Sequence, residues 1–106
     1  MVAMKKCVDS QCEAFQSAIA VLGRPWNALI LNVLQGGTKR FSELAEEGPG
    51  EKILSARLKE LEGSGLIERH VDAGPPVRVS YTLTQRGRGF RDVAEAIEKW
   101  GRALAR

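Results

Sequence analysis

The sequence is poor in the side chains from which most catalytic and metal sites are built. Its 106 residues include one histidine and two cysteines, too few ligands for a zinc finger of the usual spacing. Four residues separate Cys7 from Cys12, so the CxxC arrangement of a dithiol redox enzyme is absent. The sequence also has no glycine-rich phosphate loop and no nucleophile–base motif. We therefore expect a protein that is not an enzyme, with no catalytic residue, no metal and no cofactor.

Long apolar runs are missing as well. No segment approaches the roughly 20 apolar residues that cross a bilayer. The N-terminal stretch MVAMKKCVDSQC has two lysines but no apolar stretch behind them, unlike a secretory signal. We therefore expect a cytoplasmic protein without a membrane partner. In that compartment, two cysteines near the N-terminus are typical of free thiols rather than of a structural disulfide.

Positive charge is scarce in the middle of the chain, although the net charge is +3. Residues 1–24 carry three Lys/Arg and two Asp/Glu (+1), residues 25–83 carry seven and eight (−1), and residues 84–106 carry six and three (+3). Bulk charge therefore does not mark the central region as a nucleic-acid binder. Such a surface would have to arise from the way charges are segregated in space.

What the sequence does contain is an ordered series of amphipathic segments. Ser10 and Glu13 match a capping box at the start of the first one. Apolar side chains then recur at three- and four-residue steps, which is typical of helices, and glycines close several segments. The chain is long enough for a single domain, residues 1–106, with residues 1–10 as a mobile arm. The predicted helices span residues 11–22, 25–35, 40–47, 51–63 and 85–104.

Two later runs, LIERHVD and VRVSYTL, have the character of strands. The second alternates apolar with polar side chains, as a half-buried strand does. A four-residue turn, AGPP, separates the runs and predicts a β-hairpin over residues 66–83. Gly65, just ahead of the hairpin, is predicted to end the fourth helix in a left-handed conformation. The sequence thus predicts a mainly α fold with a small β-hairpin (α+β).

A short helix, a tight turn and a second helix over residues 40–64, backed by this hairpin, predict a winged helix-turn-helix. In such a fold the second helix presents an exposed face to the major groove of double-stranded DNA. On a helical wheel, the leucines of residues 51–63 form one buried stripe. If this helix is considered without its neighbours, its opposite face is more typical of ordinary solvated surface. The order of elements around it favours a face that contacts DNA bases, here called the reading face. That face carries Lys52, Ser55, Ala56 and Lys59.

Further candidates for contact with DNA lie at three places. Arg57 falls beside the leucine stripe, where a structural ion pair or a phosphate contact fits better than base reading. Basic side chains ahead of the third helix can clamp phosphate with its amino end, unless they are merely exposed loop charges. The tip of the wing is also flanked by basic side chains, at least one of which is expected to meet phosphate or the minor groove. The candidates at the last two places are Thr38, Lys39, Arg40, Arg69, His70 and Arg78.

Three segments in order resemble the HxlR-type winged-helix transcriptional regulators of bacteria. They are VLGRPWNALILNVLQGGTKRFSEL, KILSARLKELEGSGLIER and PPVRVSYTLTQRG. The resemblance covers about residues 12–104, nearly the whole chain. It implies a homodimeric, sequence-specific regulator, a repressor, that binds a two-fold-related DNA operator.

The resemblance also implies dimer contacts through the first and last helices. The competing interpretation is that the apolar side chains of these helices only fill the core of the monomer. A long last helix with few other elements to pack against favours a partner. The candidate contacts are Phe15, Ile19, Phe90, Ile97 and Trp100.

Members of this family commonly carry a cysteine just before the first helix, and Cys12 matches it. In one branch this thiol senses quinones, aldehydes or other oxidants, which would make the regulator redox-responsive. A position in the first helical turn favours a thiolate, whereas the nearby acidic side chains oppose it. Glu13 stands where the family often has proline, so a small apolar role for Cys12 remains the alternative. Cys7 could resolve an oxidised Cys12 or pair with the other subunit.

A second interpretation keeps the fold and changes the partner. The chain could be a winged-helix interaction module that binds protein without sequence-specific recognition of DNA. The −1 balance of residues 25–83 supports this alternative.

Overall fold

A computed structural model describes residues 9–105 of the chain. Residues 1–8, which include Cys7 and most of the predicted arm, lie outside the described residues. The predicted mainly α architecture with a small β region is confirmed. Helices and strands follow one another as α1 (Ser10–Leu22), α2 (Asn27–Leu34), β1 (Lys39–Arg40), α3 (Phe41–Glu47), α4 (Glu51–Gly63), β2 (Ile67–Asp72), β3 (Arg78–Leu83), α5 (Gln85–Arg88) and α6 (Phe90–Leu104).

The strands form an antiparallel sheet in the order β1-β3-β2. The predicted hairpin pairs β2 with β3 from Ile67 opposite Leu83 to Asp72 opposite Arg78. The sequence did not predict β1, which places Arg40 opposite Ser80 on the other edge of β3. A strand of two residues is too short to show alternation, and only pairing with β3 defines it.

The core lies where α2, α3 and α4 meet the sheet. The three leucines of α4, Leu54, Leu58 and Leu61, are each 1% exposed, which confirms the predicted stripe. Burying side chains of this size stabilises the fold by about 2 kcal/mol each, as an upper estimate. The other buried apolar residues are Ile30, Leu31, Leu34, Leu44, Ile67, Tyr81 and Phe90.

A glycine-dependent turn connects α4 to the wing. The Leu66 N–H donates to the Leu61 carbonyl and the Gly65 N–H to the Glu62 carbonyl, both at 3.0 Å. These two bonds form a Schellman motif, which requires a left-handed residue. Gly65 has φ +76°, as the sequence predicted. Strand β2 begins at Ile67, directly after this turn.

Two predictions about the helices are corrected, one on where α1 is capped and one on the continuity of the last helix. Asp9, rather than Ser10, caps α1: its Oδ1 accepts from the Cys12 N–H at 2.7 Å. Aspartate and serine are comparable capping residues, so the sequence leaves the choice of neighbour open. The predicted helix 85–104 is two helices, α5 and α6, which meet at Gly89. Glycine is a poor helix former, and the periodicity across 85–104 concealed the break.

Both ends of the described chain carry apolar side chains that the domain does not cover. None of the residues of α1 is buried, and in α6 only Phe90 is. Phe90 is 9% exposed and belongs to the core at the point where α6 begins, which for this residue favours the competing interpretation, core filling, over a dimer contact. The radius of gyration is 15.8 Å, against about 13 Å for a compact chain of this length.

Among residues 9–105, no single helix has the length and apolar content to cross a membrane. Only α1 and α2 together reach those limits, and they are bent by 86° where they meet.

Candidate nucleic-acid interface

The predicted reading face of α4 is solvent-exposed in the structure. Lys52, Ser55, Ala56 and Lys59 are all exposed, on the side of the helix away from the buried leucines. The short side chains of Ser55 and Ala56 leave room for close approach of another surface. A lysine near each end of this face supplies positive charge.

A cleft of about 830 Å³ lies between α4, the start of α3 and the wing. Four cationic side chains and two carboxylates line it, which gives a local charge of +2. The surrounding segment 25–83 carries −1 overall, so folding segregates the charges as nucleic-acid binding requires. The two carboxylates are Glu51 and Glu62. The predicted residues that line this cleft are Arg40, Ser55, Lys59, Arg69 and Arg78.

The three residues ahead of α3 do not act as one clamp. Lys39 lines a different cleft, beside α2 and the glutamates of α3, because neighbouring residues of a strand face opposite ways. Thr38 borders a smaller recess that it shares with Arg40 and Arg78. The Arg40 N–H already donates to Glu43 Oε1 at 2.8 Å, and this carboxylate disfavours a phosphate at the amino end of α3.

His70 and Arg69 lie on opposite faces of the wing. Arg69 is opposite the buried Tyr81 and lines the cleft between α4 and the wing. The His70 ring Nε2 lies 2.9 Å from the Thr82 hydroxyl and 3.6 Å from Glu68 Oε1. His70 is therefore not among the groups that converge on the cleft with α4.

Arg57 takes the structural role that the sequence left open. Its side chain is 15% exposed and its Nη1 lies 3.1 Å from Glu60 Oε2, while its Nε donates to the Pro25 carbonyl at 3.0 Å. Glu60 also accepts from Arg24, at 2.8 Å from Nη2 and 3.4 Å from Nε. The hydrogen bond from Arg24 lowers the pKa of Glu60. No local pattern could reveal this pair, because 36 positions separate the two residues.

Cys12 occupies the first turn of α1, as predicted, and is half-buried. It is disulfide-bonded in the structure, whereas the composition favoured a free thiol. Composition indicates the redox state of a compartment but does not determine the local geometry of a cysteine. The Asp9 carboxylate that binds the Cys12 N–H places negative charge beside this residue.

The chain is similar in sequence and in structure to known transcriptional regulators. The sequence profile of the HxlR-like helix-turn-helix family matches residues 21–106. The HTH-type transcriptional regulator YodB of Bacillus subtilis is 42% identical over 94 residues, which are 87% of this chain and 84% of YodB. The reduced form of YodB superposes with a TM-score of 0.74 at 40% identity, covering 88% and 90% of the two chains. Quinone-bound and diamide-treated forms of YodB give TM-scores of 0.75 and 0.74. A MarR-family regulator structure from Enterococcus faecalis reaches 0.80 at 31% identity, covering 94% and 92%.

Proposed function

Because the chain belongs to the HxlR-like helix-turn-helix family, we propose that it is a homodimeric, sequence-specific DNA-binding transcriptional regulator that acts as a repressor. The observation that carries the proposal is the cleft between α4 and the wing. Its charge of +2 arises because one arginine from each of β1, β2 and β3 outweighs the net −1 that α4 contributes with Lys59, Glu51 and Glu62. Local charge thus favours DNA over the alternative of a protein-binding module, which rested on the −1 balance of residues 25–83.

In this proposal the amino-terminal half of α4 enters the major groove. Ser55 and Ala56 approach the base edges, and Lys52 and Lys59 reach phosphates or guanine edges. Arg78, next to the wing tip, contacts the backbone or the minor groove beside it. Arg57 makes no contact with DNA, because its guanidinium is bonded to Pro25 and Glu60.

The dimer is proposed from the uncovered apolar faces of α1 and α6. Phe15 and Ile19 on α1 and Ile97 and Trp100 on α6 are all exposed. Several large apolar side chains exposed on the same two helices favour an interaction site there. A second copy of the chain would cover these faces symmetrically and present two reading helices to a two-fold-related operator.

Substitution of the two reading-face lysines tests DNA binding. Lys52→Ala and Lys59→Ala are each expected to weaken binding roughly tenfold, since each removes a charge-assisted contact. Each is also expected to reduce the slope of log K against log[salt] by about 0.9. The measurement is a mobility shift with DNA from upstream of the protein's own gene, at several salt concentrations.

Lys99→Ala is the matched control, because it removes one exposed positive charge from α6 at a distance from the reading face. It is expected to bind as the wild type does. If both α4 variants and the wild type bind this DNA equally and independently of salt, the proposed interface is wrong. If the protein shifts no DNA, the interaction-module alternative takes its place.

We also propose that Cys12 makes the regulator responsive to oxidants and electrophiles. Its place in the first turn of α1 supports this, because a change there acts on a helix of the proposed dimer. The diamide-treated and quinone-bound forms of YodB support the same chemistry in a relative. Diamide takes two electrons and two protons from a pair of thiols as the sulfur–sulfur bond forms, and is itself reduced to the hydrazine.

Cys12→Ser tests this role directly. The reduced wild type is expected to change its affinity for DNA at least several-fold after treatment with diamide or a quinone, and Cys12→Ser is expected not to change. The measurement is a DNA titration before and after treatment, with Cys7→Ser examined in parallel. An equal response of wild type and Cys12→Ser would exclude Cys12 as the sensor.

A further inference from the structure

The corner between α1 and α2 is tied on two sides to the rest of the domain. The two helices meet at 86°. Within the described residues, Trp26 at this corner is the one non-glycine residue with positive φ, at 78°, a conformation that a bulky side chain adopts only when its surroundings impose it. On one side of the corner Val21 and Leu22 pack against the core, and Asn27 Nδ2 donates to the Val21 carbonyl at 2.9 Å. The corner therefore has a defined geometry.

On the other side, an ion-pair network ties the corner to α4. Both nitrogens of the Arg24 fork, Nε and Nη2, face the two carboxylate oxygens of Glu60, at 3.4 and 2.8 Å. Arg57 of α4 bonds the same carboxylate at 3.1 Å and reaches the Pro25 carbonyl at 3.0 Å. Two-point pairing of this type fixes direction as well as distance. Consecutive residues of the corner are thus bonded to two residues one turn apart on α4.

Glu60 does not line the cleft, although its neighbour Lys59 does. Arg24 and Arg57 are not among the cleft side chains either. Its effect on DNA would therefore be exerted through the orientation of α4 relative to α1. In the proposed dimer α1 belongs to the contact between subunits, so this orientation sets the separation of the two reading helices.

We propose that Glu60, held by Arg24 and Arg57, is a positioning residue that fixes the spacing between the two half-sites the dimer accepts. The inference rests on the proposed dimeric DNA binding and adds to it the structural determinant of spacing. Two reading helices bind together only when their separation matches that of the half-sites along the duplex. A rigid link from α1 to α4 restricts the dimer to one spacing between the half-sites. A loosened link lets the dimer bind half-sites at several spacings.

Glu60→Gln is the variant of choice. The amide keeps the size of the side chain but loses the charge that pairs with both arginines, and Arg57 retains the Pro25 carbonyl as a partner. Arg24 and Glu60 are 53% and 38% exposed, and ion pairs at such positions contribute little to stability. The variant is therefore expected to fold and to have a melting temperature close to that of the wild type. An unchanged melting temperature together with a changed spacing would distinguish a positioning role from a general structural role.

The experiment is selection of binding sites from a random DNA library by full-length wild type and by Glu60→Gln. The wild type is expected to enrich two half-sites at one spacing, and an inserted base pair should cost tenfold or more in affinity through lost simultaneous engagement. Glu60→Gln is expected to enrich the same half-site sequence at two or more spacings, with a cost of about twofold for the inserted base pair. Arg24→Gln should behave like Glu60→Gln, and Arg24→Lys should also accept more than one spacing, because an ammonium group cannot form the two-point pair with Glu60.

Glu95→Gln is the matched control, because it removes an exposed acid that pairs with Arg91 within α6 and is expected to keep one spacing. A single unchanged spacing for Glu60→Gln overturns the inference and leaves the proposed function standing. A loss of the half-site sequence itself also overturns it, because Glu60 would then support reading rather than spacing. Failure of the wild type to enrich any two-fold site overturns the proposed function, and the inference with it.

Discussion

Replacement of Trp100 by aspartate is expected to convert the protein to a monomer and to weaken its binding to DNA with two half-sites by about 100-fold or more. Trp100 is 67% exposed on the apolar face of α6, and the proposed dimer buries it. A carboxylate in that position would lose its hydration without gaining a partner. A monomer also loses the avidity of two linked reading helices, which is commonly worth 10²-fold or more.

Light scattering after size-exclusion chromatography measures the mass, and a DNA titration measures the affinity. Lys99→Ala serves again as control, because it makes the same change of one unit in net charge on the polar side of α6. It should remain dimeric and bind normally. A Trp100→Asp protein that stays dimeric and binds as the wild type does would place the subunit contact elsewhere.

Gly87→Ala is expected to cost about 3 kcal/mol or more of the free energy of unfolding. Gly87 is buried in α5, and a β-carbon there would lie 2.0 Å from the carbonyl oxygen of Leu66. That oxygen also accepts the Thr84 N–H at 3.0 Å, so it cannot move without breaking the link between the wing and α5. Strain against backbone of this kind belongs to the most damaging single substitutions.

Urea unfolding followed by circular dichroism measures the loss. Gly63→Ala is the matched control, since it lies in the last turn of α4 with nothing within 4 Å of the added carbon. It is expected to be neutral or to stabilise the protein by about 0.5–1 kcal/mol, because alanine is the better helix former. A Gly87→Ala protein as stable as the wild type would contradict the close approach of α5 to Leu66.

Local patterns predicted the elements that position the reading face. Leucines at three- and four-residue steps defined α4 and its buried stripe, and the left-handed Gly65 followed from the same segment. The alternation around Tyr81 defined the wing. These predictions succeeded because each feature depends on neighbours within one or two turns of the chain, where periodicity and capping are informative.

The features that sequence reasoning missed depend on partners far along the chain. Strand β1 exists only because β3 pairs with it, and that pairing turns Lys39 away from the cleft that Arg40 lines. The bond between Arg24 and Glu60 joins two residues that sequence patterns treat as surface charges. Phe90 carries the same apolar signal as the exposed residues of α6, and only the fold determines that it is buried.

The placement of β1 also divides the wing into two parts: a frame, which is the three-stranded sheet β1-β3-β2, and the turn between β2 and β3, whose length can vary. Because β3 is bonded to β1 on one edge and to β2 on the other, the strands are held to the start of α3 as a single unit. The turn at residues 73–77 lies beyond this frame, with exposed side chains throughout. Changes in loop length are thermodynamically mild, about 0.6 kcal/mol per doubling. Insertions at this turn would therefore lengthen the reach of the wing while the frame, and with it the geometry of α4, stayed the same.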